Sequence, residues 1–277
     1  MDQALLVGIN AYPAPNTLYG CVNDIVDVAA RLEQGFGFGY EGIVTLLDGS
    51  ATRGAILAEL EQIIAGLSAG DRFLFYFSGH GVRYPVTSAG GTESVIEALC
   101  PVDFSMTGDD AVNGLVAADF APLFARLPPK VEFVWCLDAC YSAGLLPMAF
   151  TLKHAQAGRH KTWALPPGVA ARVASLLSEA PHRRSRVYDS AGKVYRVGVL
   201  AACAADQLAT DGAFPDGAPN ARPNGAFTYW LLQQLATDPA SSLEALADAL
   251  AAPLERYQQT PRAEGDEAIV QRKFLTL

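Results

Sequence analysis

Nowhere in these 277 residues does an apolar run approach the ~20 residues that span a bilayer, so no transmembrane helix is expected. The apolar stretch at the start, Ala4 to Ile9, has neither a basic leader nor a small-residue cleavage site. It reads as a strand, and the expected location is cytoplasmic. Cysteine is sparse and scattered: Cys21, Cys100, Cys136, Cys140 and Cys203 are odd in number and form no CxxC pair. That pattern argues against a disulfide framework and against a zinc site. Positive charge is also short, with 20 basic against 29 acidic residues and a net charge of −9, which disfavours nucleic-acid binding. No internal repeat is present. What remains is a chain of 51% hydrophobic and 18% charged residues, long enough to bury a large core, which places it among globular proteins.

The basic residues that exist are concentrated. Between 151 and 197 stand Lys153, Arg159, Lys161, Arg172, Arg183, Arg184, Arg186, Lys193 and Arg196, against only Glu179 and Asp189. The segment therefore carries +7 and the rest of the chain −16.

Periodicity predicts alternating strands and helices through the first half. Strands are expected near 4–9, 43–47 and 72–77, and helices over the Ile25–Leu32 and Ile56–Leu67 faces, the second capped by Thr52. A β-α-β-α-β order favours a parallel sheet with helices on both faces. Residues 84–95 read as a surface loop and 95–99 as a short edge element. A helix over 117–127 leads to an apolar strand, 131–137. Regular periodicity fades from 147 to 192, apart from a helix at 168–178, and a stretch of that length is either a functional loop or partly disordered. A strand at 195–202, a loop at 212–224, helices at 226–235 and 243–257 and a final strand over 268–275 complete the expectation. The domain reading is one unit over 1–277, divided into 1–146, a mobile basic connection over 147–194, and 195–277.

Two strands end in similar turns. Arg72 to Phe77 is followed by Ser78-Gly79-His80-Gly81, and Val131 to Leu137 by Asp138-Ala139-Cys140-Tyr141-Ser142-Ala143-Gly144. α/β folds place chemistry outside the carboxyl ends of their strands. Either residue alone is weak evidence, since a single cysteine is more often a small buried hydrophobe. Together they offer a thiol and an imidazole, the requirement of a cysteine nucleophile with its base. The other histidines, His154, His160 and His182, fall in the irregular basic segment.

Ser78-Gly79-His80-Gly81 and the Asp138-x-Cys140-x-Ser142-x-Gly144 motif 60 residues on resemble the caspase-like cysteine peptidases, specifically metacaspases and their bacterial relatives. Further stretches agree in order: Leu5 to Asn10 with Tyr12, Gly20 to Asp24, Pro101 to Phe104, Ala201 to Gln207, Gly225 to Thr228, and Gln259 to Pro261. The resemblance implies an α/β, three-layer αβα sandwich around a mostly parallel sheet, of the caspase-haemoglobinase type. It implies Cys140 as nucleophile and His80 as base, with the backbone N–H groups of Cys140 and Gly81 as oxyanion donors.

In place of the arginines with which caspases bind aspartate, the resemblance puts Asp138 and Asp24, beside Ser78, in the substrate pocket. An acidic pocket implies cleavage after Arg or Lys. The alternative for Asp24 is an N-terminal helix cap. Self-cleavage in the basic connection is a family habit, with Arg159, Lys161, Arg183, Arg184 and Arg186 as candidate sites; the alternatives are a solvated basic face or a latch that fills the acidic pocket uncut.

Many metacaspases need calcium, held by acids before the helix that precedes the nucleophile strand. Here Leu115 to Asp119 offers one acid, with Asp109 and Asp110 in the preceding loop. Calcium takes 6–8 oxygen ligands, so no cofactor and no metal site are expected, calcium being the one candidate. The implied partner is a protein or peptide substrate, with an activating partner as a further candidate and neither nucleic acid nor membrane. Rival readings are a caspase-fold protease of other specificity that depends on a partner, and a non-catalytic scaffold that kept the fold.

Overall fold

The computed structural model describes residues 2–140, 159–179, 196–204 and 207–275. The first half runs β1 (Gln3–Gly8), α1 (Cys21–Phe36), β2 (Ile43–Leu47), α2 (Arg53–Gly66) and β3 (Arg72–Ser78), the alternation expected from periodicity. Then come β4 (Gly81–Thr87), β5 (Glu93–Leu99), the short strands β6 (Ser105–Thr107), β7 (Asp110–Val112) and β8 (Leu115–Val116), α3 (Ala117–Phe124) and β9 (Glu132–Asp138). The remainder is β10 (Arg159–His160), α4 (Pro167–Glu179), β11 (Val197–Ala201), β12 (Thr210–Phe214), β13 (Arg222–Gly225), α5 (Ala226–Thr237), α6 (Leu243–Glu255), β14 (Arg262–Gly265) and α7 (Glu267–Val270).

Among the described residues the main sheet has six strands in the order β14-β11-β9-β3-β1-β2. Every pairing is parallel except β14 against β11. The central strands β3 and β9 are buried along their whole length, as strands covered on both faces must be. Their side chains alternate between two cores. Phe73, Phe75 and Phe77 pack with Phe133, Trp135 and the apolar faces of α2 and α3. Leu74, Tyr76, Val134 and Cys136 pack with Ile25, Val28 and Leu32 of α1 and with α5 and α6. The layers are helix, sheet, helix, as the fold class required.

Three local expectations are corrected. Residues 84–95 are not a loop: β4 and β5 form an antiparallel hairpin from Gly81↔Leu99 to Thr87↔Glu93, turned at 88–92. The stretch 212–224 contributes to a second antiparallel pair, β12 and β13. The last main-sheet strand is Arg262–Gly265, while Ile269 and Val270 belong to the short helix α7, which Asp266 caps through Ala268 N–H. An apolar run that short fits either state.

Candidate active site

The parallel register sets the site. Gly8, Ser78 and Asp138 sit opposite one another at the carboxyl ends of β1, β3 and β9. Two residues beyond Ser78 and Asp138 come His80 and Cys140, each only 1% exposed. His80 is held from several sides. Its backbone N–H donates to the Tyr12 hydroxyl at 3.1 Å, its carbonyl accepts from Cys100 N–H, and its ring lies 4.5 Å from that of Tyr12. Imidazole Nε2 is 2.5 Å from the Asn16 carbonyl, which fixes Nε2 as the protonated nitrogen. Nδ1 has no hydrogen-bond partner among the described residues and keeps its lone pair. Burial lowers the imidazole pKa to about 4, although the hydrogen bond to the Asn16 carbonyl pulls it up.

Cys140 N–H and Gly81 N–H converge on one atom, the carbonyl oxygen of Lys161, at 3.1 and 3.0 Å. Position 81 admits only glycine here, because a Cβ would stand 2.0 Å from the Cys140 carbonyl oxygen. Cys140 Sγ accepts from Ala209 N–H at 3.1 Å. Burial pushes its thiol pKa well above the ordinary value. Near neutral pH both groups are therefore uncharged.

The Lys161 side chain descends into the pit that the sequence reading made acidic. Its Nζ lies 3.0 Å from Asp24 Oδ2, 3.0 Å from Asp138 Oδ2 and 2.9 Å from Ser78 Oγ, with the side chain wholly buried. Burial alone would depress the ammonium pKa, but the Asp138 and Asp24 carboxylates outweigh it and hold the group charged, well above its usual value. Asp24 caps no helix. Its Oδ1 accepts from Asn224 Nδ2 and Gly225 N–H, and its Oδ2 from the Ser78 hydroxyl at 2.7 Å. Asp138 Oδ2 also accepts from Thr228 Oγ1 at 2.6 Å. Gly225 forms part of the wall: a Cβ there would lie 2.0 Å from Asp138 Oδ2 and 2.3 Å from Lys161 Nζ.

The backbone around Lys161 is held as an added strand. Arg159 and His160 pair antiparallel with Asp211 and Thr210, and Lys161 N–H donates to Ala209 O at 2.8 Å. Past Lys161 the chain turns along β4: Thr162 bridges Gly81 in parallel sense and Trp163 N–H donates to Gly81 O at 3.1 Å.

Residues 2–149, more than half of the chain, match the family described as "Metacaspase, peptidase C14 domain". The chain belongs to the metacaspase peptidase family. Similar curated relatives are Metacaspase-1 of Meyerozyma guilliermondii, 31% identical over 155 residues, and Metacaspase-9 of Arabidopsis thaliana, 31% identical over 152. These alignments cover 53% and 52% of this chain but only 37% and 44% of the relatives, so the chain matches less than half the length of either. A solved protein from Geobacter sulfurreducens superimposes with a TM-score of 0.69 over 99% of this chain and 98% of its own, at 23% identity. That likeness shows a shared fold over the whole length.

The sequence-derived residues thus fall into three groups. Asp24, Ser78, His80, Gly81, Asp138 and Cys140 surround Lys161. Arg159 lies outside the pit, over the ring of Tyr19. Arg183, Arg184, Arg186 and the turn residues Ser142, Ala143 and Gly144 are outside the described residues. Of the acids weighed for calcium, Asp119 pairs with Arg53 at 2.5 Å and accepts from Val116 N–H. Asp109 pairs with Arg172. The sequence reading missed Asn16, Ala209 and Asn224, two of which act through backbone groups that side-chain identity does not reveal. It had noted Gly225 and Thr228 only as parts of a motif. Among the described residues no helix is long and apolar enough to cross a membrane.

Proposed function

We propose that this metacaspase-family chain is a cysteine endopeptidase that cleaves after Lys or Arg, and that its first substrate is its own Lys161–Thr162 bond. The observation that carries the reading is the position of Lys161: a basic side chain in the acidic pit and its carbonyl between two converging N–H donors. A substrate held for attack at its carbonyl carbon needs both of these, a seated side chain and a carbonyl oxygen between oxyanion donors.

His80 Nδ1, left unprotonated because Nε2–H is committed to Asn16, takes the Cys140 proton. The thiolate adds to the Lys161 carbonyl carbon, and charge developing on the oxygen is stabilised by Cys140 N–H and Gly81 N–H. Collapse breaks the C–N bond to Thr162, whose nitrogen takes the proton from the His80 imidazolium. Water, deprotonated by His80, then releases the acyl group from Cys140. Until the segment is cut or withdrawn, no other substrate can enter, so the chain is latent as made and suited to regulated proteolysis.

The pit accepts either basic residue. The three ammonium donors of Lys161 are used by Asp24, Asp138 and Ser78, while Asp138 Oδ1 has no partner among the described residues. A guanidinium brings five donors in a fork suited to carboxylates, so Arg should be cleaved as well as Lys. Calcium is not required in this reading, because Asp119 and Asp109 are committed to Arg53 and Arg172.

Fluorogenic peptides ending in Arg, Lys or Asp, assayed with and without calcium on wild type and Cys140→Ala, test the proposal. Turnover after Arg and Lys alone, unchanged by calcium and abolished in Cys140→Ala, is expected. Turnover after Asp, or activity that survives Cys140→Ala, overturns it. Absence of any turnover in a folded wild type favours the scaffold or partner-dependent reading.

A further inference from the structure

Lys161 is not the only residue of the segment that has a built seat. Resting on the endopeptidase reading above, we propose that substrate selection extends to both flanks of the cut bond: a cation two residues before the basic residue, on Tyr19, and an aromatic ring two residues after it, in a cage of Tyr12 and Phe104.

On the leading side, β10 pairs Arg159 with Asp211, two residues before Lys161. The Arg159 guanidinium carbon lies 3.7 Å from the centroid of the Tyr19 ring, which is 49% exposed and thus a shelf open to solvent. The shelf is fixed from beneath. Both oxygens of the buried Asp211 carboxylate are occupied by the adjacent backbone, Oδ2 by Tyr19 N–H at 2.9 Å and Oδ1 by Gly20 N–H at 2.8 Å. Gly20 is required there, since a Cβ would lie 2.4 Å from Asp211 Oδ1. A ring face with a carboxylate nearby attracts a cation and offers little to a neutral side chain.

On the trailing side, Trp163 is 9% exposed and inserted among three rings. Phe104 stands 4.8 Å away at 82°, Tyr12 6.0 Å at 84° and His80 6.2 Å at 85°, all edge-to-face. The backbone is steered by Trp163 N–H to Gly81 O and by Ala164 N–H to Asn16 Oδ1 at 2.9 Å. Tyr12 of the cage and Asn16, which steers the backbone, both also bind His80. A ring seated here closes water off from His80.

The test uses an internally quenched peptide with the chain's own residues 159–166, and versions of it with Lys161→Ala, Arg159→Ala, Trp163→Ala or Trp163→Phe. Cleavage is measured on the full wild-type chain, and binding on the Cys140→Ala/Arg159→Ala/Lys161→Ala/Trp163→Ala chain, which cannot cut and leaves the pit and both flanking seats free of its own side chains. The expected losses in kcat/KM and in affinity are at least about tenfold for Trp163→Ala and about three- to fivefold for Arg159→Ala. Trp163→Phe should stay within about threefold. The Arg159→Ala loss should vanish in a Tyr19→Ala chain and persist in Tyr19→Phe.

Arg159→Ala and Trp163→Ala peptides cleaved and bound as well as the parent would overturn the flanking subsites while leaving cleavage after Lys intact. If no peptide is cut, the endopeptidase reading fails, and the order of binding still decides for or against the subsites.

Discussion

Replacing Lys161 by alanine separates a plug held by its charge from a loop that merely lies over the site. In the native chain the ammonium is fully buried and makes three polar contacts at 2.9–3.0 Å, two of them to carboxylates. Removing one member of such a buried set strands the others, at a cost of about 3–5 kcal/mol. The carboxylates of Asp24 and Asp138 escape that cost only when the segment leaves and water enters the pit. The open state should then become more populated by a factor on the order of 10²–10³, one factor of ten for each ~1.4 kcal/mol. Cys140 reports the opening directly, because burial holds its thiol far above the ordinary pKa and hence unreactive while the segment is in place.

The assay is the alkylation rate of Cys140 by iodoacetamide, located by peptide mass, in wild type, Lys161→Ala and Lys161→Arg. All three chains carry His80→Gln, so that self-cleavage does not open the site during the assay. The rate should rise by about two orders of magnitude in Lys161→Ala, up to the limit set by a fully exposed thiol, and should change little in Lys161→Arg. Equal rates in Lys161→Ala and wild type, with both chains folded, would refute the reasoning.

Three further outcomes are expected. Gly225→Ala should abolish cleavage after Lys and Arg, by at least about 100-fold, because its Cβ would overlap the Asp138 carboxylate and the ammonium position; peptide turnover beside a thermal melt checks that the fold survives. Asp138→Asn should raise KM for Lys peptides by at least about tenfold, since a carboxylate facing the cation is lost; an unchanged KM would remove Asp138 from the pocket.

The third concerns pH. His80 has a folded pKa of about 4 against 6.5 ordinarily, so the folded state binds the proton more weakly than the unfolded state. Its contribution is fully present above pH 6.5 and is lost as pH falls towards 4, amounting to about 3 kcal/mol over that window. Denaturant unfolding of wild type and His80→Gln at several pH values should show the two curves converging on acidification, and parallel curves would contradict the assignment.

The parts of this molecule that periodicity made legible are those buried on both faces. β3 and β9 are continuous apolar runs ending in small-residue turns, and that ending alone puts Ser78, His80, Asp138 and Cys140 at one edge of the sheet. The antiparallel strands outside the main sheet were not legible. β4 contains Pro85, and the turn at 88–92 reads Ser-Ala-Gly-Gly-Thr, so composition argued for a loop while the pairing with β5 decided otherwise. β13 reads Arg-Pro-Asn-Gly and gives no strand signal at all, yet it carries the Asn224 and Gly225 groups that bind Asp24. The role of Asn16 was hidden for another reason: it orients His80 through a backbone carbonyl. Lys161 was visible as one of several basic residues in a long connection, but its selection depends on backbone hydrogen bonds to Gly81, Cys140 and Ala209, which composition does not encode.

The central claim is that Lys161 lies across Cys140 as a substrate, and the most direct measurement is the mass of the chain's own fragments. Purified wild type and Cys140→Ala are incubated side by side, with and without calcium, and new N-termini are read by mass spectrometry. The account predicts a fragment beginning at Thr162 from wild type alone, formed first and in either condition. A wild-type chain that stays whole throughout, a first cut elsewhere, or the same fragment from Cys140→Ala would contradict it.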